Sequence, residues 1–407
     1  MLSIEEALAR VMERVPANAT ERVPIEHAQG RVLAETIAAT VDLPPWAGSA
    51  MDGFAVRAAD VPGDLDVLET IAAGRVPSRE VGPGQASRIM TGAPIPEGAD
   101  AVVMVEDTAS TDSQVTVRVS ATPGQHIRAA GSEIRAGQTV LAPGTVLGFG
   151  TLGVLAALGR PSVLVTCRPR VGLLSTGDEV VEPGFPLAPG QIWSSNLHAL
   201  AGLCRDAGVE PVYLGIVEDD PVALAVAFRR AMQCDVVVST GGVSVGDFDH
   251  VKDVLIGMGV SIDFWRVAMK PGKPLAYGFI GDRPVFGLPG NPVSCMVNFL
   301  QFVRPVLRTM LGDPNPFLPV VRAALERPWK RRAGRPELVR VRLSPGAEGL
   351  PTASVAGVQG SAHVLGMAEA HGLMMVGAET TLVAGEVSVQ VFDWTWTSGA
   401  GAGYRWA

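Results

Sequence analysis

The chain has 407 residues, more than one ordinary domain of about 100 to 200 residues holds, so we expect two to four compact units. Hydrophobic residues make up 47% and charged residues 18%, which excludes a disordered chain and allows a sizeable core. The formal charge of −8 excludes a general attraction for nucleic acid or an anionic membrane surface, so an anionic ligand needs a local basic pocket or a metal.

The cysteines and the N-terminus favour a cytoplasmic protein. The four cysteines are widely spaced and make no C-x-x-C pair, so neither zinc-ribbon spacing nor a disulfide framework is present. Glu5 and Glu6 stand where a signal peptide carries basic residues, and no apolar segment follows them. We therefore expect a reducing, cytoplasmic environment.

The N-terminal part begins with a helix and continues as strands. Ser3 and Glu6 have the spacing of a capping box, and the apolar residues after them recur at helical intervals. Pro44 and Pro45 impose an extended break, after which residues 46–135 show the pattern of short alternating strands between turns.

An uncharged stretch, residues 136–159, admits a membrane-spanning interpretation. Pro143 and the glycines after it favour a turn and then a buried helix instead. We therefore expect no membrane association.

From about Thr166 the pattern changes to short apolar strands that alternate with helices, which is typical of a parallel sheet covered by helices. Predicted strands span residues 171–174, 212–217, 235–239 and 285–288, and predicted helices span residues 196–207, 221–232, 249–258 and 292–310. Beyond residue 312 the helical period fades, and further strands are predicted at residues 339–343, 373–376 and 387–392.

These patterns predict a multidomain α/β protein. Residues 1–44 together with 136–165 form a helical and extended N-terminal domain, into which a β-rich domain, residues 45–135, is inserted. Residues 166–311 form an α/β domain, and residues 312–407 form a C-terminal β-domain.

Two glycine-rich loops follow strands of the predicted parallel sheet, at the edge where open α/β sheets bind ligands. Such a loop is often only a turn, but two in one sheet favour a phosphate site, because glycine lets backbone N–H groups approach an anion. The residues expected to cradle phosphate are Thr176, Gly177, Thr240, Gly241, Gly242, Ser244 and Gly246.

Carboxylates end both loops. Asp178, Glu179 and Asp249 would repel a phosphate unless a hard cation such as Mg²⁺ lay between them. The sequence therefore predicts metal-bridged phosphate, with capping of helix N-termini as the alternative role for each acid.

A basic segment follows, at residues 265–274, in which two prolines flank a glycine. We expect its three cations, Arg266, Lys270 and Lys273, to converge on an oxyanion pocket in this otherwise acidic chain. The alternative is that each is an ordinary solvated side chain.

Six segments occur together in one order, namely residues 51–55, 90–94, 175–179, 241–246, 270–274 and 287–292. In this set and order they resemble the MoeA family, which includes the C-terminal portion of gephyrin, over nearly the whole chain. The resemblance implies a homodimer of four-domain subunits with a MogA-like three-layer α/β domain and a C-terminal domain similar to a β-barrel. It also implies that the partner's N-terminal β-domain completes the active site.

The resemblance implies roles for particular residues. Asp52, Thr91 and Glu133 match residues of the lid side, and Glu179, Asp219 and Asp249 match acids of the α/β domain. Arg266, Lys270, Pro289 and Pro292 match the oxyanion-pocket segment, and Ser361 matches a serine of the C-terminal domain.

The chain departs from the family pattern at five positions. Phe54 replaces a usual tyrosine, while Glu133 and Arg266 keep the charge of the residue they replace but change its reach. Ala362 replaces a usual glycine, and His371 replaces a usual asparagine.

The reaction that the resemblance implies is that of a molybdopterin molybdenumtransferase. Adenylated molybdopterin and molybdate give molybdopterin that carries molybdenum on its dithiolene, and AMP leaves. Mg²⁺ held by acids among Asp178, Glu179 and Asp249 would bridge the diphosphate. Molybdate and tungstate are tetrahedral dianions of similar size, and the sequence does not distinguish them.

Two other functions stay open. A MogA-type adenylyltransferase shares the α/β domain but lacks the region of Asp52 and Thr91, and a gephyrin-like scaffold would carry an extra domain or linker. The expected partners are a second copy of the chain, a MogA-type adenylyltransferase and molybdoenzyme maturation proteins.

Overall fold

The computed structural model describes residues 1–242, 250–346 and 349–398, and the chain divides into two compact units. The first unit contains Met1–Glu21, Gly30–Val32 and Val165–Ala407, and the second contains Arg22–Gln29 and Leu33–Leu164. The predicted N-terminal domain, residues 1–44 with 136–165, is divided between these units, because Met1–Glu21 belongs to the first.

The helices are α1 Ile4–Glu13, α2 Phe149–Ala157, α3 Asn196–Asp206, α4 Pro221–Ala231, α5 Val251–Gly257, α6 Pro292–Asn298, α7 Arg304–Met310 and α8 Leu365–Ala368. The strands up to the α/β sheet are β1 Thr20–Pro24, β2 Ile37–Ala38, β3 Gly48–Ser49, β4 Gly53–Val56, β5 Gly63–Ile71, β6 Gln85–Ile89, β7 Ala101–Met104, β8 Thr108–Ser110, β9 Gln114–Val117, β10 Ile127–Arg128, β11 Thr139–Leu141 and β12 Ser162–Thr166. The strands that follow are β13 Arg170–Thr176, β14 Val180–Val181, β15 Ile192–Trp193, β16 Glu210–Val217, β17 Val236–Thr240, β18 Ser261–Arg266, β19 Pro274–Ile280, β20 Arg283–Leu288, β21 Val320–Leu325, β22 Trp329–Lys330, β23 Glu337–Ser344, β24 Thr352–Val355, β25 Gly372–Val376, β26 Leu382–Val383 and β27 Glu386–Val391.

The predicted capping box begins α1. The Ser3 hydroxyl accepts from the Glu6 N–H at 3.1 Å, and the Glu6 carboxylate accepts from the Ser3 N–H at 2.8 Å. Ala7 and Val11 on its apolar face are fully buried in the α/β core of the first unit. The helix therefore packs on the α/β domain, although its position in the sequence placed it with the N-terminal domain.

The α/β domain is confirmed as three layers. Its sheet has the order β16-β13-β17-β20-β19-β18, and the first four strands are parallel. Adjacent residues of β13 face opposite ways, so Leu173 packs with α3 and α6 while Leu174 packs with α4 and α5. Strands buried on both faces explain the continuous apolar runs seen in the sequence.

Two strands of this sheet were not predicted from the sequence. Residues 265–274 were described only as a basic segment, but Trp265 and Arg266 end β18 and Pro274 begins β19. Both strands are antiparallel additions at one edge of the sheet. Proline is tolerated at the first residue of a strand, so it did not mark a break here.

One long helix was predicted over residues 292–310, and the structure interrupts it. A π-helical turn, Phe299–Val303, joins α6 to α7. Pro305 has no N–H and its ring excludes the carbonyl four residues earlier, which explains the altered hydrogen-bond spacing just before it.

The C-terminal β-domain is a closed barrel of β21, β24, β23, β25 and β27. Apolar residues that alternate along these strands fill its interior, including Val339, Val341, Met374 and Val389. The barrel-like fold is therefore confirmed.

The second unit contains a six-stranded sheet of the order β7-β4-β6-β5-β9-β8, in agreement with a β-rich domain. Phe54, which replaces the usual tyrosine, is 1% exposed in its core.

The helix expected to be buried, α2, has Leu155 as its buried residue and Phe149 90% exposed, so that prediction was wrong. Its glycines provide no side chains to pack. In the described ranges no helix combines the length and apolar character that crossing a membrane requires.

Candidate functional site

A cavity of about 560 Å³ lies at the carboxyl ends of β13, β17 and β20. This is the edge at which parallel sheets bind ligands, and the volume is within the range of small-molecule sites. The lining residues are Ser175, Thr176, Gly177, Glu179, Val180, Ile192, Trp193, Ser194, Ser195, Asn196, Asp219, Thr240, Gly241, Gly242, Pro274, Pro289, Gly290, Asn291, Pro292, Ser294 and Ala362. The predicted loops therefore do meet, whereas Ser244, Gly246 and Asp249 lie outside the described residues.

The two glycine loops pack against each other at backbone distance. Gly241 has φ +92°, and a Cβ at this position would lie 2.4 Å from the Thr176 carbonyl oxygen. Two of the N–H groups expected to hold phosphate are already used, because Gly177 donates to Val217 O and Gly241 donates to Leu288 O. Gly177 and Gly241 therefore shape the cavity rather than supply free donors.

Thr240 is likewise engaged inside the protein. Its hydroxyl donates to Pro289 O at 3.0 Å and accepts from the Asn196 amide at 2.8 Å. The same amide nitrogen donates to Gly290 O at 2.8 Å. Thr240 therefore joins β17 to the turn that precedes α6 and to the start of α3.

The start of α3 supplies polar groups that the sequence analysis did not single out. Ser194, Ser195 and Asn196 line the cavity directly before and at the first residue of this 11-residue helix. Its first N–H groups have no partner within the helix and favour an anion. A serine pair and an asparagine at a predicted helix start were the available signal. Ser294, on α6, was also missed.

Three acids gather at one side of the cavity. Glu179 and Asp219 line it, and the Asp219 N–H donates to Asp178 Oδ1 at 3.0 Å. Burial, and then the negative charges of Asp178 and Glu179, raise the pKa of Asp219. Within the described ranges, neither these acids nor any other three His, Cys, Asp or Glu side chains form a group that could hold a metal ion.

The three cations of the basic segment do not meet in this cavity. Arg266 lines a second cavity of about 530 Å³, together with Arg10 and Lys252. The Lys270 ammonium pairs with the Glu337 carboxylate at 2.9 Å. Arg266 ends an edge strand, whereas Lys270 and the exposed Lys273 lie in the following loop, which leads to the cavity-lining Pro274.

The C-terminal domain contributes part of the wall of the cavity at the strand ends. The Val293 N–H, in α6, donates to Ser361 O at 3.0 Å, and the neighbouring Ala362 lines the cavity. His371, the other departure nearby, has a structural contact, since its Nδ1 accepts from Leu343 N at 2.9 Å.

The lid-side residues lie in the second unit. Asp52 Oδ1 accepts from both the N–H and the hydroxyl of Thr91, each at 2.7 Å. These two bonds, the backbone bond first, lower the pKa of Asp52, which is fully exposed. Glu133 lines a different cavity of this unit, of about 550 Å³, with Trp46 and Arg128.

Comparison with known proteins agrees with this arrangement. The MoeA N-terminal region (domain I and II) matches residues 2–159, a probable molybdopterin binding domain matches residues 172–309, and the MoeA C-terminal region (domain IV) matches residues 322–394. Molybdopterin molybdenumtransferase 2 of Mycobacterium tuberculosis is 39% identical over 408 residues, which cover 97% of this chain and 100% of the relative.

Two solved structures match the fold of this chain over nearly its whole length. Two crystal structures of molybdopterin biosynthesis MoeA protein from Pyrococcus horikoshii superpose with TM-scores of 0.83 and 0.82, at 32% and 30% identity. They cover 97% and 96% of this chain, and 99% and 100% of their own chains. Near full-length matches to sequences, domains and structures show that the chain belongs to the MoeA family of molybdopterin molybdenumtransferases.

Proposed function

We propose that the chain converts adenylated molybdopterin and molybdate into molybdenum cofactor with release of AMP. The observation that carries the proposal is the cavity at the strand ends, which the start of α3 and the carboxylates of Glu179 and Asp219 line together. A helix start suits a phosphate, and carboxylates beside it suit a cation that bridges to that phosphate. The family relatives named for this reaction support the same substrate.

Mg²⁺ fits the donor set, because hard cations prefer carboxylate oxygens. Burial, and then the negative charges of Asp178 and Glu179, raise the pKa of Asp219, and a cation would offset both effects. Asp178 and Glu179, with Asp249 as the third expected ligand, would hold the ion. When bound, it would neutralise and polarise the diphosphate of the substrate.

The chain's own residues would bind and orient the substrate. The N–H groups at the start of α3 and the hydroxyls of Ser194 and Ser294 are suited to a phosphate oxygen. Lys270 and Lys273, in the loop that leads to the cavity-lining Pro274, would hold the oxyanion beside the cavity by charge. Positioning of this kind can supply a large share of a rate enhancement.

The proposal includes a cytoplasmic homodimer in which Asp52, Thr91 and Glu133 of one subunit complete the site of the other. A subunit interface would cover the exposed Phe149 and the uncharged α2 around it.

A reducing compartment is consistent with four free cysteines, all in the described ranges. A MogA-type adenylyltransferase would supply the substrate, and molybdoenzyme maturation proteins would receive the product.

The test is an assay of AMP over time with purified protein, adenylated molybdopterin, Mg²⁺ and either molybdate or tungstate. We expect oxyanion-dependent AMP release, and the two arms compare the oxyanions. If neither oxyanion stimulates release, the proposed reaction is wrong. Full activity of Asp249→Ala would contradict its metal role.

Subunit sharing has a separate test. Asp52→Ala and Lys270→Ala homodimers should each turn over slowly, whereas mixed dimers contain one site with both residues intact and should recover part of the activity. Mixed dimers no faster than either parent would exclude a shared site.

A further inference from the structure

The segment that leads into α3 is fixed beside the cavity. The two residues of β15 pair in parallel with β14, and Ile192 N donates to Glu179 O while Ser194 N donates to Val181 O, both at 2.8 Å. At the end of the segment the Asn196 amide is anchored to β17 and to Gly290. The backbone around Trp193 is therefore held from both sides.

The Trp193 side chain is also held, yet its ring stays open. Its indole N–H donates to the Phe185 carbonyl at 2.9 Å, which fixes the ring by its edge. The residue is nevertheless 53% exposed and lines the cavity together with Ile192 and Val180. An exposed tryptophan oriented in advance loses little entropy when a ligand packs on it.

Other residues that line the cavity differ in chemistry from Val180, Ile192 and Trp193. They include the hydroxyl, amide and carboxylate side chains of Thr176, Asn196 and Asp219. A phosphate suits these polar groups and not the indole. A flat heterocycle suits the indole, because aromatic faces stack on one another whatever their substituents.

We propose that Trp193 is the stacking surface for a planar nitrogen heterocycle of the substrate. The inference rests on the proposed function, since adenylated molybdopterin carries such rings, adenine and the pterin, beyond a central diphosphate. Trp193 and the α3 N-terminus are adjacent in the chain, so one short segment would contact both the ring and the phosphate next to it.

The experiment measures equilibrium binding of two probes, AMP and molybdopterin without the adenylyl group, to the full chain by calorimetry and by tryptophan fluorescence. Loss of stacking in Trp193→Ala should weaken binding of one probe roughly 5- to 150-fold. Trp193→Phe should retain most of the affinity, and the wild-type fluorescence change on binding should disappear in both variants. If Trp193→Ala weakens the binding of AMP, adenine is the stacked ring. If it weakens the binding of molybdopterin, the pterin is the stacked ring.

Two control variants separate stacking from general damage. Leu187→Ala alters the same segment at a residue that does not line the cavity, and Trp394→Ala removes another half-exposed tryptophan, at the C-terminus. Both should bind as the wild type does. Equal affinity of Trp193→Ala and the wild type for both probes would overturn the stacking role and leave the proposed function standing. Failure of the wild type to bind either probe would overturn both.

Discussion

The Lys270 ammonium lies 2.9 Å from Oε1 of Glu337, a carboxylate that is 3% exposed. The backbone joins the same two positions, because Lys270 N donates to Pro336 O and Leu338 N donates to Lys270 O. Arg331 Nε lies 3.2 Å from the other carboxylate oxygen. One buried acid therefore ties the basic loop of the α/β domain to the C-terminal barrel.

Removal of that acid's charge should destabilise the protein. Glu337→Gln leaves the buried Arg331 and the loop lysine without a counter-charge, and loss of one partner of a buried pair costs about 3 to 5 kcal/mol. Urea unfolding measures this loss. The control is Glu386→Gln, whose exposed pair with Arg322 should contribute less than about 1 kcal/mol. Equal losses in the two variants would show that burial of Glu337 has no consequence.

Asp219→Asn should stabilise the fold and slow the reaction. The raised pKa of Asp219 means that the folded chain binds this proton more tightly than the unfolded chain does. Stability is therefore lost as pH rises from the ordinary carboxyl pKa through the raised value, and asparagine avoids that loss. The thermal midpoint should rise at neutral pH, and the gain should vanish near pH 3, below the ordinary value of about 3.9.

The neighbouring Asp220 provides the control for this prediction. Its carboxylate caps α4 by accepting from Val222 N and Ala223 N, and asparagine caps helices almost as well. Asp220→Asn should therefore leave both the midpoint and AMP release near their wild-type values. A neutral-pH midpoint that falls in Asp219→Asn would contradict the conclusion that burial and the neighbouring acids disfavour the charge of Asp219.

The sequence predicted the elements that depend on local pattern. Apolar runs located the four parallel strands, and the rule for strand ends brought Thr176 and Thr240 to one cavity. Asp219 was implied only by the family resemblance. Contacts between distant segments were not predictable in this way. The Lys270–Glu337 pair and the position of Trp193 depend on how whole elements pack, and the edge strand that ends at Arg266 was hidden by prolines and charges typical of loops.

Thr91 should control the charge of Asp52. Thr91→Val removes the hydroxyl donor and keeps the backbone donor, so the pKa of Asp52 should rise part of the way towards its ordinary value, while Thr91→Ser should keep it low. Titration of the Asp52 carboxyl by NMR measures this change. Stability from the lowered pKa is present above the ordinary pKa and is lost as pH falls through the lowered one. An unchanged titration in Thr91→Val would assign the whole effect to the backbone bond.

Arg340 holds the turn that carries Ser361 and Ala362. Its guanidinium donates to the carbonyls of Val358, Gly360 and His363, at 2.7, 3.1 and 3.0 Å. The side chain is 1% exposed, and burial lowers its pKa. This turn contacts α6 through Ser361 and lines the cavity through Ala362.

Arg340→Met should therefore damage both stability and turnover. Three carbonyls lose a hydrogen bond from a charged donor, each worth about 1.5 to 3 kcal/mol, and the turn is released from the cavity. Arg342→Ala is the control on the same strand, since Arg342 is exposed and pairs with Glu369 at the surface. Arg340→Lys, which keeps the charge but offers fewer donors in another geometry, should recover only part of the loss. If the KM for adenylated molybdopterin stays unchanged in Arg340→Met while stability falls, the turn supports the fold but does not shape the cavity.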